Sequence, residues 1–202
     1  MTKYLNGSWW IIGLVLFIFS CQPKSEYHQL IEQELASGER HDSLFLGIYL
    51  GMSSKAFFDH CWQLNKQNIL DQGGGVSVRY ELKDELKAPA TANFYPTFYQ
   101  DTIREMPITF VYDAWAPWNE EFSADSLQLD VVKLMEKWHG GGFIEIKHPT
   151  GGVAHVKVDG NRRITVFKVP LRNKEVKAVF TDLTREDALK AMKPKQDDLS
   201  KK

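Results

Sequence analysis

Residues 143–182 read FIEIKHPTGGVAHVKVDGNRRITVFKVPLRNKEVKAVFTD, and this stretch decides the fold. Four alternating apolar runs are separated by turn-forming residues, the pattern of consecutive antiparallel strands. A three-residue loop at Pro149-Thr150-Gly151 pairs Ile146 with Ala154 and Ile144 with Val156. A loop of the same length at Asp159-Gly160-Asn161 pairs Val156 with Ile164 and Ala154 with Val166. Gly151 and Asn161 suit the left-handed residue that ends such loops. The fourth run offers Val176, Ala178 and Phe180. All four apolar sets then fall on one face, as a sheet covered on one side requires.

A helix to cover that face lies just upstream. Leu127, Val131, Leu134, Met135 and Trp138 recur at helical spacing, with Asp125 or Ser126 to cap the start and Gly140-Gly141-Gly142 to stop the helix. Further upstream, Val76 to Leu82 alternates as a strand, and Ile108 to Tyr112 reads as another. Residues 83–105 read as irregular, with Pro89, Pro96 and many polar positions. Leu44 to Leu50 is a short apolar run that suits a strand, a helix or a loop. Ser53 is a candidate N-cap, with Met52 and Phe57 placed as a hydrophobic staple. Phe57, Phe58, Cys61, Trp62, Asn65 and Ile69 then form one stripe, read as the buried face. If buried on that stripe, Asn65 needs a hydrogen-bond partner, and a neighbouring backbone is expected to supply it. Tyr27 to Ala36 is a short helix ended by Gly38, and Thr184 with Asp187 forms a capping box for a helix through Met192.

The expected architecture is α+β, with helices packed on one face of an antiparallel β-meander, in two helix-then-sheet halves. The domain spans 26–192, with halves at 26–115 and 123–192. Residues 193–202 form a polar tail.

The N-terminus carries an address. A start with one cation, Lys3, leads into the apolar run Trp9 to Phe19. A membrane span takes roughly 20 apolar residues. This run is about half that, the length of a signal-peptide core. Ile18-Phe19-Ser20-Cys21 resembles the lipobox of bacterial lipoprotein signal peptides. The resemblance implies that residues 1–20 are a signal peptide removed before Cys21. Cys21 then carries lipid and anchors the chain to the cell envelope, with 21–25 as a tether. Gln22 stands where an aspartate would imply inner-membrane retention, so the outer membrane is expected. Gly51-Met52-Ser53-Ser54 resembles the opening of small outer-membrane assembly lipoproteins of the BamE-like kind, which pack helices on one face of a three-stranded antiparallel sheet. The whole chain resembles uncharacterised bacterial envelope lipoproteins, a likeness that implies no activity.

Composition narrows the function. A net charge of -1 and a pI near 6.6 argue against nucleic acid, which needs a basic face. With Cys21 lipidated, Cys61 has no partner within the chain. Its apolar neighbours make it an inert core thiol rather than a nucleophile. Six histidines raise the question of a metal. His148 and His155 fall on opposite faces of the expected sheet, His155 opposite Glu145. His60 points off the apolar stripe, and His139 sits at a helix end, where its charged form would favour the dipole. None meets ligand spacing. No nucleophile motif occurs, and Glu120 with Glu121 reads as a solvated acidic loop. Both glycine triplets follow a helix, whereas phosphate-binding loops precede one. No cofactor is implied.

The aromatic residues are the remaining lead. Phe94, Tyr95, Phe98 and Tyr99 lie in the irregular segment, and Trp115 and Trp118 flank Pro117. These rings could anchor an envelope protein, the first reading of a non-enzymatic binding or scaffolding lipoprotein. Alternatively, Trp115 and Trp118 make a glycan-binding module. A small hydrolase has no motif in its favour.

Overall fold

The computed structural model describes residues 26–149 and 151–186. Its helices are α1 (Glu26–Ser37), α2 (Ser54–Lys66) and α3 (Ala124–His139). The strands of the first half are β1 (Leu70–Gln72), β2 (Val78–Leu82), β3 (Ala90–Phe94), β4 (Thr97–Tyr99) and β5 (Thr102–Tyr112). Those of the second are β6 (Ile144–Lys147), β7 (Val153–Asp159), β8 (Arg162–Lys168) and β9 (Val176–Asp182). They form one nine-stranded antiparallel sheet in the order β1-β2-β3-β5-β9-β8-β7-β6, with β4 also paired to β5. The protein is α+β. The sheet joins its two runs of strands through β5 and β9, and one main core runs through both. The leader, Cys21, the tether, the helix expected beyond Glu186 and the tail lie outside the described residues.

The first hairpin of the meander has the expected register, Ile146 opposite Ala154 and Ile144 opposite Val156. The second differs by one residue. Asp159 pairs directly with Arg162, so the turn is Gly160-Asn161, with Gly160 at φ 53°. A two-residue turn with glycine first is the II′ pattern that fits strand twist. Val156 therefore faces Thr165 rather than Ile164, and Ala154 faces Phe167 rather than Val166. A slip of one residue moves a strand's apolar set to the other face. Ile164 and Val166 join Ala178, Phe180, Ile108 and Phe110 in the main core, on the side that α3 covers. Ala154, Val156 and Val158 point the other way. With Leu183, they form a small second core under Tyr27, Leu30 and Ile31 of α1. Helices α1 and α3 thus lie on opposite faces.

Residues 83–105, read as irregular, contain β3, β4 and the start of β5. Ala90, Ala92 and Phe94 are the buried positions of β3. Alanine has weak strand preference, so tertiary neighbours decide the state. Pro107 sits inside β5 without breaking it. Phe94 faces Ile108 and Thr97 faces Glu105, so Pro107 falls at the gap between β3 and β4. Its missing N–H interrupts no ladder there.

The strand expected from Val76 begins at Val78, and Val76 is exposed in the preceding turn. Leu44 to Leu50 is a loop turned tightly about Leu46 and Gly47, both at positive φ. It buries Leu44, Phe45, Ile48 and Leu50 in the main core. His60 of α2 holds it, donating Nε2–H to the Leu46 carbonyl at 2.7 Å. Ser53 caps α2 through the Ala56 N–H, with Met52 and Phe57 both buried beside it. The cap of α3 is Ser123, which accepts from the Ser126 N–H, rather than Asp125 or Ser126. Thr184 is itself bonded to Asp182, the residue that caps the short 3-10 turn Leu183–Arg185.

Candidate functional site

The aromatic residues singled out in the sequence separate into three environments. Phe94 is 1 % exposed and belongs to the main core, so it is removed from any binding surface. Tyr95, Phe98 and Tyr99 are half-buried, and the first two pack on α2. Trp115 is half-buried and Trp118 is 85 % exposed, both beyond the far end of β5. Phe98 pairs with Ile103, and Trp115 follows Tyr112, the last residue of β5. The nine steps from Ile103 to Tyr112 span roughly 30 Å at strand rise. The two groups therefore stand at opposite ends of β5.

The first site is built on α2. Two stripes one residue apart satisfy the helical period. Phe57, Cys61 and Leu64 turn to the core, with Phe57 fully buried and the other two half-buried. Phe58 and Trp62 turn outward, 49 % and 60 % exposed, correcting their assignment to the buried face. Ile69 is also exposed. Buried Phe57 is the hub beneath this surface, with ring centroids 5.5 Å from Phe58, 6.4 Å from Tyr95 and 5.9 Å from Phe98. Phe58 in turn lies 6.5 Å from Tyr95 and 6.2 Å from Phe98. Lys66 sits 5.4 Å over the Trp62 ring, and Lys55 pairs with Asp59 at 2.5 Å. The result is an aromatic surface with a polar rim, held on a capped helix.

Cys61 lies under this face. Burial pushes its thiol up to about 11, which keeps it protonated and unreactive. Asn65 is exposed rather than buried on the stripe, but it makes the expected backbone bond, donating Nδ2–H to the Leu70 carbonyl at 2.8 Å.

The second site is an open cleft of roughly 640 Å³ between the 115–123 segment and the 171–175 loop before β9. Trp115, Pro117, Asn119 and Glu120 line one wall, and Leu171, Asn173 and Lys174 the other. Lys174 lies 5.6 Å over the Trp115 ring. Leu171 is fully exposed at φ 62°. The sequence signalled one wall through Trp115; Trp118, close to it in the chain, does not line the cleft. The other wall was missed, although an apolar Leu171 amid Arg172, Asn173 and Lys174 was a visible anomaly.

The histidines serve the scaffold. His148 stacks on Phe167 at 4.1 Å, and His155 lies 3.9 Å from Glu145. His139 is packed against Phe180 beside Arg162, and burial pushes it down to about 4. Burial thus outweighs the helix-end dipole that would favour its charged form. No group of three or more potential metal ligands exists among the described residues.

These features define an α+β protein that presents an aromatic helix face and, at the far end of β5, a tryptophan-floored cleft. No protein-family model, curated protein or solved structure matches the chain.

Proposed function

We propose that this chain is a lipid-anchored, non-enzymatic cell-envelope protein that captures a protein partner on α2. The observation that carries the reading is the outward pair Phe58 and Trp62, one helical turn apart and braced from below by Phe57. Large rings left in water on a rigid element supply contact area at little ordering cost, and such residues dominate binding energy at interfaces. The rim of Lys55, Asp59 and Lys66 gives the polar border typical of protein-binding patches.

Anchoring through Cys21, with the outer membrane as the favoured location, rests on the lipobox resemblance and on an apolar run of signal-peptide length. The test is crosslinking in intact cells followed by purification of wild type and of the Phe58→Ala/Trp62→Ala double variant. The expected result is a discrete protein adduct with wild type that the double variant loses while remaining folded. Identical adducts from both proteins would sink the reading.

A further inference from the structure

The cleft at the far end of β5 is larger than one hollow. A second depression of roughly 410 Å³ lies against the same loop, and the two share Ser123, Leu171, Arg172 and Asn173. Together they form an open groove crossed by the exposed ridge of Leu171. Single ligand pockets run from about 300 to 1,000 Å³. Two adjoining hollows suit a chain of units rather than one small molecule.

The groove combines an aromatic surface with unspent polar groups. Trp115 is half-buried, packs against the core and lines the groove. Trp118 lines neither hollow itself; it is 85 % exposed and lies in the chain between Pro117 and Asn119, which line the first. Among the described residues, the Glu120 carboxylate and the Asn173 amide have no hydrogen-bond partner, and Lys174 has only the Trp115 ring. Asn119 uses Oδ1 to accept from the Glu121 N–H and keeps its Nδ2 donors. Donors and acceptors therefore surround the ring in mixed array.

That array selects among ligand classes. A phosphorylated ligand needs concentrated positive charge. Here Arg172 is paired with Glu175 at 3.1 Å and Lys168 with Asp125, and Glu120 adds a further carboxylate to the lining. A purely apolar ligand would leave the carboxylate and amides desolvated without partners. A sugar offers a C–H face to stack on an indole, and hydroxyls that each donate and accept. We propose that this groove binds a saccharide chain, with Trp115 as the stacking platform and Trp118, Glu120, Asn173 and Lys174 engaging the neighbouring units. Lys174 is exposed and moves off the ring as a sugar takes its place. The site is separate from α2 and does not depend on partner capture there.

The test is native affinity electrophoresis of the full chain in detergent, in gels containing xylan, mannan, dextran, laminarin or glycol chitosan. Retarded migration is expected in at least one gel relative to a blank gel. Trp118→Ala/Asn173→Ala alters only surface positions, and it should weaken the apparent affinity at least tenfold. Trp115→Ala should abolish retardation; because that ring also packs on the core, the double variant carries the decision should Trp115→Ala misfold. Phe58→Ala/Trp62→Ala should migrate as wild type. Unretarded wild type in all five gels overturns the proposal, as does retardation that the Trp118→Ala/Asn173→Ala variant retains in full. Loss of protein capture with retardation intact would bear only on α2.

Discussion

Arg162 donates from Nη1 to Nδ1 of His139 at 3.1 Å, joining the β7–β8 turn to the C-terminal end of α3. Arginine cannot accept, so Nδ1 of His139 must be the acceptor and the ring is neutral. The same guanidinium bonds Asp159 at 2.7 Å and the Ser43 carbonyl. Next to it, Asn161 accepts from the His41 N–H at 2.7 Å and donates to Asp42 at 2.9 Å. Gly160 donates its N–H to Glu34 of α1 at 2.8 Å. One hairpin turn therefore holds α1, the 39–43 segment and α3 together.

Burial of His139 beside Arg162 makes stability depend on pH. The folded value of about 4 lies below the ordinary histidine value of 6.5, with burial as the main cause and Arg162 the next. Between these values the unfolded chain binds more protons, so stability falls as pH drops from about 6.5 toward 4. The loss should be on the order of 1–2 kcal/mol, allowing for solvent screening of a partly exposed ring. Urea unfolding at pH 7, 5.5 and 4.5 measures it. A His139→Gln variant should show a shallower slope, and equal slopes would refute the assignment.

Gly160→Ala should be strongly destabilising. An added Cβ would lie 2.3 Å from the Glu39 carbonyl oxygen, on a backbone held at positive φ. Neither backbone can yield without disturbing the network around Asn161. A loss above about 2 kcal/mol is expected, the range of strain plus lost hydrogen bonds. Gly74→Ala, with nothing near its Cβ, is the control.

The two stripes of α2 should separate in mutational response. Phe57→Ala removes a fully buried ring and should cost about 3–5 kcal/mol. Phe58→Ala and Trp62→Ala should each cost about 1 kcal/mol or less, because half of each ring or more is already in water. Thermal unfolding of the three variants decides between this order and the reverse.

Cys61 should react slowly with a thiol reagent in the native protein at pH 8 and quickly once unfolded, since its thiol is pushed up to about 11. Cys61→Ala should cost about 1 kcal/mol, as small truncations of half-buried groups do. Native labelling as fast as that of free cysteine would remove the core assignment.

Cys21→Ser should block lipid attachment and leave the chain unprocessed. Growth with a fatty-acid analogue followed by gel detection tests this. Equal labelling of wild type and variant would exclude Cys21 as the anchor.

The α+β class, the Ile146–Ala154 register, the Ser53 cap and the Asn65 backbone bond were all legible in the order of residues, because each depends on neighbours a few positions apart. Other features depend on what arrives from elsewhere in the chain. The 39–43 segment closes over the two-residue Gly160-Asn161 turn, and the single-residue difference in that turn sends Ala154 and Val156 to α1 rather than α3. Phe57 and Phe58 both satisfy a helical stripe. Only the surrounding tertiary structure determines which of them is covered and which is left for a partner. Trp115 was visible as a candidate by residue type, but its cleft needed the 171–175 loop, more than fifty positions away. Local periodicity and turn chemistry write secondary structure into the sequence, whereas exposure is a property of the assembled surfaces and is decided only when distant segments meet.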